Sequence, residues 1–131
     1  MTAISYLGIT NGTTTAGPFN VTVPSSGGAN KRMTFFIYNA EASSSGLQLT
    51  DVRYDSAGAN TALTLVGRWE YSDGGTANEV VEIWRLPEAS TQSGSKSFSW
   101  TKNGTAVGAA RQSVVTFDGI DQTTPTNEIG R

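Results

Sequence analysis

The chain predicts an all-β domain, an antiparallel β-sandwich of jelly-roll type with about eight strands. Three observations carry that expectation. Short runs of β-branched and aromatic residues recur between stretches of Gly, Ser, Thr and Asn. Several of these runs alternate apolar with polar residues, the period of a strand with one buried face. No run shows a helical period, and no internal repeat is present.

At 131 residues the chain suits a single domain able to bury one core. The sandwich is expected over residues 1–117. The polar remainder, Asp118 to Arg131 with a lone Ile129, reads as a C-terminal arm or loop.

The densest run of β-formers is Val80–Leu86, fenced by Asp73-Gly74-Gly75 and Pro87. Leu63, Leu65, Gly67, Trp69 and Tyr71 share one parity and predict one long amphipathic strand. The glycine turn between them should fold the two runs into a hairpin, because glycine takes the positive φ of tight turns. Upstream, Ile4 to Ile9 is a strand whose apolar phase slips, which a bulge or burial on both faces would explain. Asn11-Gly12 and the threonines after it read as a loop. Phe19, Val21 and Val23 alternate cleanly with Asn20 and Thr22. Met33 to Tyr38 is apolar on both parities, as in a central strand covered on both sides or one meeting a partner. Glu41 to Gly46 is a loop. Leu47 and Leu49 change phase with Val52 and Tyr54 at Thr50-Asp51, a second candidate for a bulge or a bend, and Asp55 to Asn60 is a loop. Phe98 and Trp100 share one face of Ser95–Thr101. Asn103-Gly104, a strong hairpin signal, should return Gly108–Phe117 onto that strand.

Composition narrows the function. The chain has neither His nor Cys, so the usual acid–base group near neutral pH, thiolate chemistry and disulfides are all absent. Net charge is −2 with only one adjacent basic pair, Lys31-Arg32, which disfavours a nucleic-acid partner. No apolar run spans a bilayer and no signal peptide is evident, so a chain made in the cytoplasm with no membrane partner is expected.

The side chains able to carry chemistry have plain readings. Glu79 and Glu82 have opposite strand parity and point to opposite faces. Glu70 and Glu82 read as solvated strand positions partnered by Arg68 or Arg85, not as the carboxyl pair of a glycosidase. Asp118 and Asp121 flank Gly119 and read as turn formers, with no calcium loop. Asn11-Gly12-Thr13, Asn20-Val21-Thr22 and Asn103-Gly104-Thr105 match the glycosylation sequon, but two of them read as Asn-Gly turns. Trp69 and Trp100 are expected in the core. Tyr71, next to the glycine turn, is the candidate exposed aromatic for a glycan. No catalytic residue, metal or cofactor is expected, and the protein reads as a non-enzyme.

A run of blocks adds a resemblance. They are Leu49-Thr50-Asp51-Val52-Arg53-Tyr54, Ala62-Leu63-Thr64-Leu65-Val66-Gly67, Val81-Glu82-Ile83-Trp84-Arg85-Leu86-Pro87, Phe98, Val114-Val115-Thr116-Phe117 and Gly119-Ile120-Asp121-Gln122-Thr123-Thr124-Pro125. In order and spacing they resemble a jelly-roll, concanavalin-like β-sandwich module of phage structural and bacterial surface proteins. That module is a packing and binding scaffold, so the resemblance implies no catalytic residue. In the larger family proteins more strands follow the Asp-Gln-Thr-Thr-Pro segment, whereas this sequence stops six residues after Pro125. Either eight strands close the sandwich or an edge stays open to a neighbour. The resemblance implies a phage virion structural protein, a capsid decoration or cement protein on the head surface, binding the major capsid protein or another virion protein and copies of itself as a homo-oligomer. Candidate interface residues are Ile4 and Tyr6 at one end and Ile120, Asp121, Thr124, Ile129 and Arg131 at the other. The alternative is a carbohydrate-binding or adhesion module of a phage tail or bacterial surface protein.

Overall fold

The computed structural model describes residues 4–14, 17–23, 32–42, 46–72, 78–87, 94–106 and 110–119. Among them lie nine strands and no helix: β1 (Ser5–Gly12), β2 (Phe19–Val23), β3 (Met33–Ala42), β4 (Gln48–Tyr54), β5 (Thr61–Ala62), β6 (Thr64–Ser72), β7 (Asn78–Pro87), β8 (Gly94–Asn103) and β9 (Arg111–Asp118). They form two antiparallel sheets, ordered β1-β9-β3-β7-β6 and β2-β8-β4-β5. The pairings nest: β5 with β4, β7 with β3, β8 with β2 and β9 with β1. A long hairpin rolled on itself nests in this way, which is the winding of a jelly roll. β6 adds an extra edge strand beside β7.

The inner faces of the two sheets supply the core. Val21 and Val23 of β2, Leu49, Val52 and Tyr54 of β4 and Phe98 of β8 meet Phe36, Tyr38 and Ala40 of β3, Val80, Trp84 and Leu86 of β7 and Val114 of β9. Phe36 stacks on Phe98 at 5.4 Å between ring centroids and also meets Trp100. Trp100 is half-buried and packs against this cluster. β3 is the central strand of its sheet, which explains its apolar residues on both parities: Phe36 and Tyr38 face the core, while Met33 and Phe35 form a second cluster with Ile83 and Phe117 on the outer face.

The two phase slips expected from the sequence are bulges. β1 shifts register against β9 between Tyr6 and Gly8, and β4 shifts against β8 between Leu49 and Asp51. The β6–β7 hairpin is also present; its turn lies outside the described residues.

Four expectations about strands and turns are corrected. The stretch Leu63–Tyr71 is not one strand with one buried face. The chain leaves the four-stranded sheet after β5, turns at buried Leu63, whose N–H donates to the Val52 carbonyl, and enters the other sheet as β6. Asn103-Gly104 is not a hairpin between neighbouring strands. Gly104 takes a positive φ of 79°, but β8 and β9 lie in different sheets and the chain crosses between them, with Ala106 bridging to Ala42 of β3. Asn11-Gly12 is not a turn. Both residues pair with β9, and Gly12 makes room for the Phe19 ring, which an added Cβ would meet at 2.4 Å. Strand boundaries also extend: Glu41 and Ala42 belong to β3, and Asp118 closes β9 by pairing with Ser5. Asp118 also accepts the N–H of Gly119.

A polar seam joins the sheets. Glu82 was expected to be solvated but is 1% exposed. Its register neighbours on the inner face are Arg68 on β6 and Tyr38 on β3. The carboxylate accepts the Trp84 indole N–H at 2.9 Å and, across the sandwich, the Leu49 backbone N–H at 3.1 Å. Arg68 Nε lies 3.4 Å from it, and Arg68 Nη2 donates to the Leu47 carbonyl at 2.8 Å and to Glu70 at 2.9 Å. β5 pairs only with Arg53 and Tyr54, so it does not reach Leu47–Leu49. Among the described residues no other strand pairs on that side, and side chains of the β6–β7 hairpin take its place.

Burial, and secondarily the Glu82 charge, hold the Tyr38 hydroxyl above the ordinary tyrosine value of 10.0. The folded protein therefore keeps a proton that the unfolded chain releases near pH 10. This contribution is complete below the unfolded value and is lost as pH rises through the folded one. Urea unfolding followed across about pH 9–12 should show stability falling with pH, and Tyr38→Phe should make the fall shallower.

Candidate interaction surface

The five-stranded sheet has an inner face on the core and an outer face away from it. Directly opposed residues share a face, so the registers assemble the outer face row by row. Tyr6, Phe117 and Met33 lie in one row, and Ile9, Val115 and Phe35 in the next. Ile37 and Ile83 follow with Gly67, then Val81 with Trp69, then Glu79 with Tyr71. Apolar side chains thus run diagonally across the sheet, from the β1 edge at Tyr6 to the β6 edge at Trp69 and Tyr71. The ring of Phe117 sits edge-on to both Tyr6 and Phe35, at 6.0 and 6.2 Å.

Both ends of this diagonal are open, with Tyr6 and Ile9 exposed at one and Trp69 and Tyr71 at the other. Trp69 is 56% and Tyr71 68% exposed. Exposure of Tyr71 agrees with its reading from the sequence, whereas placing Trp69 in the core is wrong for a local reason. β6 shifts register against β7 between Leu65 and Gly67. Leu65 lies opposite inward-facing Trp84, but after the bulge Gly67, Trp69 and Tyr71 lie opposite Ile83, Val81 and Glu79 on the outer face. The inward positions are taken by Arg68, across from Glu82, and Glu70. Gly67 then lets the Trp69 indole lie down on the strand: a Cβ on Gly67 would sit 2.6 Å from the ring. Leu65 and Val66 are also exposed. Two aromatic rings two residues apart on one face, one of them held flat, offer a stacking surface.

A shallow hollow of about 480 Å³ occupies the polar corner of the same face, lined by Ile37, Asn39, Glu41, Glu79, Arg111 and Ser113. Glu41 and Glu79 are directly opposed, with Arg111 one strand further on, opposite Asn39. Glu79 and Glu82 point to opposite faces, as their parity requires. Among the described residues, no group of three or more acidic side chains is placed to hold a metal ion.

Of the candidate interface residues, Ile4 immediately precedes β1 and Tyr6 lies within it, and both are exposed. Ile120, Asp121, Thr124, Ile129 and Arg131 lie outside the described residues. Trp69, Val66 and Ile9 were missed as surface positions. The available signal was Gly67 two residues before a tryptophan, a pairing that lets a large ring lie on a strand. No protein family, curated protein or solved structure matches the chain.

The two tryptophans of the hairpin should separate in a stability assay. Trp84→Ala, which empties a core site and strips a donor from Glu82, should cost about 3–5 kcal/mol in urea unfolding. Trp69→Ala should cost under about 1 kcal/mol. Equal costs would mean that the faces of β6 and β7 are assigned wrongly.

Proposed function

We propose that this chain is a non-enzymatic structural protein of a phage virion, a capsid decoration protein that works by adhesion to the capsid surface and to copies of itself. The observation that carries the adhesive part is the outer face of the five-stranded sheet, whose apolar diagonal ends in exposed Trp69 and Tyr71 on an edge strand. Contiguous exposed apolar surface of this kind marks interaction sites. The placement on a virion is supported by the resemblance of the Val81–Pro87 and Gly119–Pro125 blocks to the jelly-roll module of phage structural proteins. The test is co-sedimentation with empty capsid shells of the phage whose genome encodes the chain. The protein should pellet with the shells, and Trp69→Lys should weaken binding at least about tenfold, a loss of about 1.4 kcal/mol. Wild-type protein left in the supernatant would refute the virion reading.

A second reading, a carbohydrate-binding module, is favoured by one observation: the Trp69 indole lies flat over Gly67 with Tyr71 on the same face. Aromatic rings presented this way can stack on sugar rings. A glycan array decides it: binding that vanishes with Trp69→Ala supports this reading, and a blank array removes it.

A further inference from the structure

The free edge of β6 has no neighbouring strand among the described residues. The strand is nine residues long, contains no proline or lysine and displays Leu65, Val66, Trp69 and Tyr71. Edges of this length and character are templates for another strand unless something blunts or covers them. We propose that a second copy of this chain covers it: two β6 strands pair antiparallel about a twofold axis at Trp69 and join the two five-stranded sheets into one. The inference rests on the self-association half of the reading above and moves the contact from the chain ends to β6.

Gly67-Arg68-Trp69-Glu70-Tyr71 is complementary to itself in this register. Trp69 faces the partner's Trp69. Arg68 faces the partner's Glu70, and Glu70 faces the partner's Arg68, so each existing Arg68–Glu70 contact of 2.9 Å gains an oppositely charged neighbour across the edge. Moving the axis to Arg68 or to Glu70 would oppose two like charges. Placing it between residues would set outward side chains opposite inward ones and break the common face.

The rings agree with the charges. Each indole lies back over its own Gly67, and Gly67 faces the partner's Tyr71. That tyrosine meets the indole that already covers the glycine, a cross-strand aromatic contact. The bulge between Leu65 and Gly67 bends the strand and ends the pairing on that side. The interface is isologous, as a closed dimer requires.

The chain contains no cysteine, so one introduced thiol reports the register without background. Directly opposed antiparallel residues have Cα atoms about 4.5–5.5 Å apart, within reach of a disulfide. Trp69→Cys should therefore oxidise to a covalent dimer. Tyr71→Cys would sit four residues from its own image, roughly 13 Å away, and should remain uncross-linked. In sedimentation velocity at micromolar concentration the wild type should run as a dimer. Glu70→Lys, at an exposed position, should weaken it at least tenfold by setting Arg68 against a second cation. Wild-type protein that is monomeric throughout, or cross-linking at Tyr71→Cys but not at Trp69→Cys, overturns the proposal. A dimer that ignores capsid shells would leave this inference standing and remove the virion reading; a monomer that binds shells would do the reverse.

Discussion

The buried carboxylate of Glu82 is the constraint on which the rest of this sandwich depends. A charge taken out of water costs several kcal/mol unless partners replace the lost solvation. Here the partners come from three strands: the Trp84 indole on its own strand, the Leu49 amide on the opposite sheet and the Arg68 guanidinium on β6. Arg68 also holds the Leu47 carbonyl. These contacts close the part of the β4 edge that β5 does not reach, and they tie the β6–β7 hairpin to the four-stranded sheet. Apolar packing alone would bring the sheets together without specifying how the hairpin sits. Directional bonds to Leu47 and Leu49 fix its position.

One consequence is the surface chemistry of β6. Because Arg68 must face Glu82, its neighbours Gly67 and Trp69 must face outward, and Tyr71 follows. The largest ring of the strand is displayed because an interior charge needs the cation beside it. Gly67 then lays that ring along the sheet. The polar seam inside and the aromatic strip outside are two sides of one register, so disturbing Glu82 should be felt at Trp69 without any direct contact between them.

Much of the architecture was legible in the sequence, because alternation and turn residues act over a few positions. Phe19-Asn20-Val21-Thr22-Val23 reads directly as a half-buried strand, the phase change at Thr50-Asp51 is a bulge, and the block around Trp84 is a buried strand. What escaped depends on distant partners. Parity counting treats Leu63 to Tyr71 as one strand, but the chain changes sheets at Leu63 and slips at Leu65, so the apolar set is split between two faces. Asn103-Gly104 has hairpin chemistry, yet the nested winding sends the next strand to the other sheet. Asn11-Gly12 looks like a turn because nothing local reveals that Phe19 needs the space. Glu82 looks solvated because its backbone partner, the Leu49 amide, lies more than thirty residues away. Among the described residues the edge strands are β1 and β6 in one sheet and β2 and β5 in the other.

The most direct test of this account is amide hydrogen exchange at Leu49, followed by NMR in wild type and in Glu82→Leu. If the carboxylate closes the β4 edge, the wild-type Leu49 amide exchanges only at the rate of the most protected core amides of β3 and β7. In the variant that protection should fall by orders of magnitude while the β3 amides stay slow. Equal protection of Leu49 in both proteins would contradict the account, because something other than Glu82 would then be holding the two sheets in register.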